Sequence, residues 1–401
     1  MDHVDITTAF LNGDLNEVIY MEQPEEFIQS GYETKVCKLN RAIYGLKQAA
    51  RSWNTKIHEV LTKNDFVRSE HDRCIYIKKE GNKLIVIGIH VDDFFIFSND
   101  KALTNQLKSE IAKHFKMKDL GEIKECLGMK VIRDRKNGTI KLSQSDYTKE
   151  ILSRFQMEGC NPVSSPMELN FKLERAEGSP KIEDYQRILG CLMYLSVCTR
   201  PDISYATSYL SQFNTCHDKR HFTAVKRILR YLKGTSDYCL SFGRGNCEVI
   251  AYADAGRHDA EIDGFSCTGY AITLNESPIS WMSRKQRSIA LSSTEAEYIS
   301  VTETCKDILF VKGIFSDIGI DLKCVNIFND NQGAVKLAEN PVFHNRTKHS
   351  SVKDHFMRKL VEDNQVIVKY LKGSEIPADL LTKPLSRDKT LLFVKTFKLI
   401  S

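Results

Sequence analysis

The order of segments after Glu248 is the strongest constraint on how this chain can fold. Three β-prone runs follow one another closely, EVIAYADA, TGYAITL and PISWMSR. A long helical pattern starts near Ser293. Next come a strand (VNIFND), two helices (QGAVKLAE and VKDHFMRKLVED), a strand (QVIVKYL) and a final helical turn (PADLLTK). Consecutive strands followed by strand–helix alternation call for a mixed sheet covered by helices, an α/β (α+β) fold. Four acids fall at telling places in this order. Asp254 ends the first strand, Glu297 lies in the first turns of the long helix, Asp330 ends the fourth strand and Asp379 opens the last turn. Glu295 and Glu297 differ in direction, because residues two apart on a helix point to nearly opposite sides. Glu297 shares a stripe with Val301, Cys305 and Ile308 and is expected to face the sheet. Glu295 shares one with Thr302 and Lys306 and is expected to face water. For Glu297 and Asp330 a helix-capping role stays open beside a metal-binding one.

A second feature stands in the first half of the chain, LIVIGIHVDDFFIFSND, Leu84 to Asp100. Long apolar runs on both sides of Asp92 and Asp93 read as two strands buried on both faces and joined in a hairpin. Two carboxylates about 4 Å apart repel by roughly 4 kcal/mol at an effective dielectric near 20. A divalent cation removes that conflict, and carboxylate oxygens suit Mg²⁺. A plain turn explains the pair equally well. Asp5, after the short β-prone run of HVDITTAFLNGDL, is a third acid that could join them on a neighbouring strand, or could be a turn residue.

The 401 residues are enough for two or three domains. Two tracts look like boundaries, the Pro-containing Gly159–Tyr185 and the Gly-rich Lys233–Glu248. They divide the chain into residues 1–165, a helical 166–245 and 246–401. No apolar run is long enough for a membrane span, so no membrane role is expected. The N-terminus lacks signal-peptide character. Twelve cysteines without metal-site spacing fit reduced thiols inside the cell. A net charge of +5 is compatible with a nucleic-acid partner. In KRHFTAVKRILRYLKGT, Lys226, Arg230 and Lys233 form a basic stripe that either tracks phosphates or is a solvated helix face.

Several motifs in series carry a family resemblance. VDITTAFLNGDLNEVIYMEQPEEF, VCKLNRAIYGLKQAARSWN, HVDDFFIF and LSQSDYTKEILSRFQM resemble the reverse transcriptase of copia-type retrotransposon polyproteins. So do CLMYLSVCTRPDISYATSYLSQF, VKRILRYLKGTSDYCL, LSSTEAEYIS, NPVFHNRTKH and ADLLTK. The resemblance implies a palm-like polymerase domain with Asp5, Asp92 and Asp93 as metal carboxylates. It also implies a thumb-like connection and a ribonuclease H-like domain with a mixed sheet. There Asp254, Glu297, Asp330 and Asp379 should converge on Mg²⁺ or Mn²⁺ for two-metal hydrolysis of RNA. It suggests nucleic-acid contacts for Tyr44, Gly45, Lys47 and Gln48, for the basic stripe, and for Arg346, Lys348 and His349. The implied partners are an RNA template, an RNA–DNA hybrid, a DNA primer and other products of the element. The implied setting is the cytoplasm, in virus-like particles, with the nucleus as an alternative.

The chain departs from the family's pattern in places. His90 stands where the family usually has Tyr, and Ala50 where it usually has Pro. Ala255-Gly256-Arg257 replaces the usual Ala-Asp-Trp after Asp254. The family's polymerase also begins well upstream of Asp5, with the fingers that hold the incoming phosphates. The expectation is therefore a ribonuclease H activity without polymerisation by this chain. The alternative is an inactive nucleic-acid-binding remnant.

Overall fold

The computed structural model describes residues 1–176, 182–256, 264–339 and 351–400. Contacts divide the chain into two compact units, Met1–Ile123 with Gly313–Ile320, and Lys124–Lys312 with Asp321–Ser401.

The first unit begins with strand β1 (Asp2–Ile6) and a two-stranded ribbon, β2 (Tyr20–Met21) and β3 (Cys37–Lys38). Helix α1 (Ala49–Lys63) follows, then β4 (Val67–Arg68), β5 (Ile75–Glu80), β6 (Lys83–His90), β7 (Asp93–Ser98), helix α2 (Lys101–His114) and β8 (Met117–Glu122). Six strands form one antiparallel sheet in the order β4-β5-β6-β7-β1-β8. The hairpin expected around Asp92 is β6–β7, and its turn is Val91-Asp92. Contrary to expectation, β6 is not buried on both faces. Ile85, Ile87 and Ile89 are buried while Leu84, Val86 and Gly88 are only half-buried. The sheet is antiparallel and its core lies on one side, so burial alternates. That core joins Val4, Ile6, Ile87, Phe94 and Ile96 to Trp53 and Ile57 of α1 and Leu107 and Ile111 of α2.

The second unit opens with β9 (Glu125–Cys126), β10 (Met129–Asp134), β11 (Thr139–Ser143) and helix α3 (Ser145–Arg154). Helices α4 (Glu183–Cys198), α5 (Ser204–Ser211) and α6 (Lys219–Gly234) lead to β12 (Cys239–Phe242). Residues Ile151, Leu152 and Met157 share one core with Leu192, Leu210, Val225 and Leu229. The stretch 124–165 thus packs with the helical region that follows it. Between α4 and α5 a fully buried Arg200 forms a fork with Asp202, at 2.9 and 2.7 Å, and Tyr231 donates to the same carboxylate. Such a pair is tolerable in a core because every charged atom has a partner.

The rest of the unit is β13 (Val249–Gly256), β14 (Cys267–Leu274), β15 (Ser277–Lys285), helix α7 (Ser293–Asp317) as far as Lys312, β16 (Val325–Asn329), α8 (Gln332–Glu339), α9 (Ser351–Glu362) and β17 (Val366–Tyr370). A 3-10 turn (Pro377–Leu381), helix α10 (Arg387–Thr396) and β18 (Leu399–Ile400) complete it. The sheet order is β15-β14-β13-β16-β17, antiparallel through β15, β14 and β13 and parallel from β13 through β16 to β17. This is the ribonuclease H-like mixed sheet that the segment order calls for. The chain end adds something the pattern did not reveal. β18 pairs with β12, so that Leu399 and Ile400 extend the sheet β18-β12-β11-β10-β9.

Candidate active site

In the mixed sheet, β13 and β16 are parallel neighbours, so both strands end on the same side. Asp254 near the end of β13 and Asp330 just beyond β16 are brought together by that register. Helix α7 lies against them, with the Ser300 hydroxyl donating to the Asp254 carbonyl at 2.7 Å. Glu297, one turn earlier, is 7% exposed and faces the sheet as its stripe predicts. One carboxylate oxygen from each of Asp254, Glu297 and Asp330 lies within 4.8 Å of the other two. Among the described residues no other group of three Asp, Glu, His or Cys side chains does this.

Asp330 is not the cap of α8, because Asn331 accepts from the Ala334 amide at 3.0 Å; for Glu297 the capping alternative is resolved by the residues around Glu295. Its carboxylate accepts from the Leu291 amide at 2.8 Å, while the Ser292 hydroxyl accepts from the Glu295 amide at 3.1 Å. Ser292 is thus the N-cap of α7 and Glu295 ties the residue before it, so Glu297 takes no part in the cap and is left for the site. The stripe expected on Glu295's side is only partly exposed. Lys306 faces water but Thr302 is buried, because the first half of α7 is packed on more than one side.

The electrostatics are those of acids crowded away from water. Burial and then Asp254 push the Glu297 carboxyl up to about 9. Burial and then Asp254 also raise Asp330. Three carboxylates this close, two of them buried, repel one another unless a cation joins them. The donor set consists only of hard carboxylate oxygens, which fits a divalent Mg²⁺ or Mn²⁺. Asn329 was missed by sequence reasoning. Its side-chain amide donates to Glu297 at 2.9 Å and to the Ala253 carbonyl at 3.0 Å, fixing the Glu297 carboxylate. Its only sequence signal was its place beside Asp330.

Asp379 does not enter the group of three. Its carboxylate pairs with Lys383 at 2.5 Å and lies 3.7 Å from Lys389. Burial and then Asp254 raise it to about 6, against the pull of Lys383. Lys383 also stands 3.6 Å from Asp254. Burial opposes its charge, but Asp254 and Asp379 outweigh that and hold the ammonium above the usual lysine range. The Thr382 hydroxyl donates to Oδ2 of Asp254, the same oxygen that Lys383 approaches. The turn is packed closely on the position where the chain departs from the family's pattern. A Cβ at Gly256 would stand 2.2 Å from the Thr382 carbonyl oxygen, so the position admits no side chain unless the turn moves. Arg257 lies outside the described residues, as do Arg346, Lys348 and His349.

In the first unit the expected trio does not assemble. Asp5, Asp92 and Asp93 do not place three oxygens within 4.8 Å of one another. Asp5 and Asp93 are opposite partners on β1 and β7, while Asp92 belongs to the turn. Asp93 lies 2.7 Å from the His3 imidazole, and Asp92 accepts from the Tyr44 hydroxyl at 2.7 Å. Burial and then Asp92 push the Tyr44 phenol up to about 12. Gly45 follows in a left-handed conformation, φ +97°. Lys47 is exposed, and Gln48 leads into α1. His90 is exposed at the end of β6. Trp53, which no motif singled out, donates to the Val91 carbonyl at 2.8 Å and holds the strained turn, where Val91 has φ 54°.

The basic stripe of α6 is not free. Arg230 donates to the Asn161 carbonyl at 2.7 Å, and Lys233 to the carbonyls of Glu158 and, at 2.8 Å, Cys160. Lys226 is exposed, its ammonium 4.6 Å over the Phe222 ring. The periodicity was right but the partners are backbone carbonyls of the Pro-containing tract, which pattern alone does not disclose.

Comparison with known proteins agrees with this architecture. A family model described as reverse transcriptase (RNA-dependent DNA polymerase) matches residues 1–169. The chain is 40% identical over 398 residues to the retrovirus-related Pol polyprotein from transposon TNT 1-94 of Nicotiana tabacum. The match covers 97% of this chain and 30% of that relative, so the chain spans less than a third of the tobacco polyprotein's length. It is 34% identical over 310 residues to a transposon Ty5-1 protein of Saccharomyces cerevisiae, covering 76% of this chain and 100% of the relative. In fold it resembles the foamy viral protease-reverse transcriptase solved with an RNA/DNA hybrid, at a TM-score of 0.50 and 13% identity, over 93% of this chain and 44% of that one.

Proposed function

Because the chain belongs to the copia-type retrotransposon Pol family, with a reverse transcriptase part and a ribonuclease H-like part, we propose that its second unit cleaves the RNA strand of RNA–DNA hybrids. The observation that carries this reading is the convergence of Asp254, Glu297 and Asp330 at the strand ends of the mixed sheet. These three residues would hold a divalent cation, Mg²⁺ or Mn²⁺, with Asn329 and Thr382 fixing two of the carboxylates. When bound, such a cation supplies positive charge to the scissile phosphate and makes an attacking water more acidic. The chain's own part is to orient the carboxylates and exclude water around Glu297. Lys383 adds a fixed positive charge at the edge of the site, next to where a phosphate would approach. The natural substrate and partners on this reading are the hybrid, its RNA template and a DNA primer, met in the cytoplasm within virus-like particles. The regions 1–165, 166–245 and 246–401 would act as polymerase-like, connecting and nuclease parts.

The test is cleavage of a labelled hybrid by the purified chain with Mg²⁺ or Mn²⁺. Cutting that disappears in Asp254→Asn and Asp330→Asn supports the reading. A folded chain that binds hybrid without cutting it supports an inactive remnant instead.

For the first unit we infer that polymerisation is not an activity of this chain as folded. His3 bonds one oxygen of Asp93 and Tyr44 one oxygen of Asp92, and with Asp5 these acids do not bring three oxygens within 4.8 Å of one another. Phosphoryl transfer depends on positioning, and a displacement of about 1 Å can cost on the order of a hundredfold.

A further inference from the structure

The three-carboxylate group is not the whole anionic region. Asp254 serves two neighbours at once. On one side lie Glu297 and Asp330. On the other lies Lys383, 3.6 Å away, which is itself 2.5 Å from Asp379. The Lys383 ammonium therefore stands between Asp254 and the fourth acid, where a cation shared by those two residues would have to sit. Its anchor is rigid. Lys383 follows the 3-10 turn directly, its amide bonds the Asp379 carbonyl at 3.2 Å, and the preceding Thr382 is tied to Asp254. The turn is pressed so closely on the sheet that neither Gly256 nor Gly269 has room for a Cβ. Asp379 is further restrained by Lys389 at 3.7 Å.

We propose that Lys383 is a built-in cation of this site. It occupies the position between Asp254 and Asp379, so that the resting site takes one divalent ion on Asp254, Glu297 and Asp330 and excludes a second. The inference rests on the cation-binding reading of those three acids. The charge balance favours it. Once a bound ion has displaced the carboxyl protons, four carboxylates with Lys383 carry −3, which one divalent ion reduces to −1. Without Lys383 the same four carry −4, which two divalent ions neutralise. A unit positive charge within about 4 Å of an incoming divalent ion is strongly repulsive in a half-buried site. Lys383 is a positioning residue here, acting through Asp254 and Asp379. A second divalent ion enters only when the ammonium swings outward, and the 38% exposure of its side chain leaves it a path.

The experiment counts bound Mn²⁺ on the full chain by electron paramagnetic resonance and calorimetry, with no nucleic acid present. The unchanged chain is expected to bind one Mn²⁺. Lys383→Gln should bind two, the second at least about tenfold more tightly than any second ion on the unchanged chain. Lys383→Arg, which keeps the charge, should bind one. Lys383→Met tests the same loss of charge with an apolar stem, and it decides the matter if the Gln variant does not fold. A purely structural role for Lys383 would lower metal binding on substitution, not add an ion. Two equal ions on the unchanged chain, or one ion on both charge-free variants, overturns the proposal while leaving the three-carboxylate reading intact. Absence of any bound Mn²⁺ on the unchanged chain overturns both.

Discussion

Replacing Glu297 by Gln separates the cost of the site from its use. In the metal-free protein, burial and Asp254 push the Glu297 carboxyl from its usual 4.5 up to about 9. An acid whose pKa is higher folded than unfolded keeps its proton longer in the native state. Between pH 4.5 and 9 the native state therefore binds more protons, and stability falls as pH rises through that window. At pH 7.5 the window has been crossed by about three units, so the penalty is on the order of 4 kcal/mol at 1.36 kcal/mol per unit. Gln keeps the shape and can still accept from Asn329, but it carries no charge. Glu297→Gln should therefore raise the metal-free stability at pH 7.5 by a few kcal/mol and flatten its decline with pH. It should also remove the stabilisation that Mg²⁺ or Mn²⁺ gives the unchanged chain, and abolish hybrid cleavage. Glu295→Gln is the contrast. It alters only the side chain that accepts from the Leu291 amide, a hydrogen bond worth about 1 kcal/mol, and should keep both metal stabilisation and cleavage. The assay is urea unfolding from pH 5 to 9 with and without Mn²⁺, paired with cleavage of a labelled hybrid. If Glu297→Gln leaves the pH slope and the metal effect unchanged, or if both variants lose cleavage equally, the face assignment and the electrostatic argument fail together.

Arg230 and Lys233 of α6 should behave as structural ties. Arg230→Ala with Lys233→Ala should lower stability by about 1–3 kcal/mol, from lost charged hydrogen bonds, and leave the salt slope of hybrid binding nearly unchanged. A slope reduced by about two units would restore the phosphate-tracking role. Primer extension on an RNA template with dNTPs and Mg²⁺ should not exceed that of an Asp92→Asn/Asp93→Asn control. Extension above that control would show that His3 and Tyr44 release the carboxylates when substrate binds.

Much of this molecule was legible in its residues because the deciding rules are local. The order of strands and helices after Glu248, the hairpin around Asp92 and the inward face of Glu297 follow from periodicity and from the two-residue offset on a helix. The family motifs ran in order along nearly the whole chain, which made the two-part architecture readable. Tertiary structure decided what depends on partners distant in sequence. Whether four acids meet depends on how β13, β16, α7 and the last turn pack, and the fourth acid stays outside the group of three, paired with a lysine four residues after it. Whether Asp92 and Asp93 join Asp5 depended on Tyr44 and His3, which no spacing rule connects to them. The α6 stripe has the same period whether it faces phosphate or the carbonyls of Glu158, Cys160 and Asn161. Periodicity fixes which way a side chain points, because it is a property of one element. What it meets there is set by close packing between elements, which local sequence does not encode.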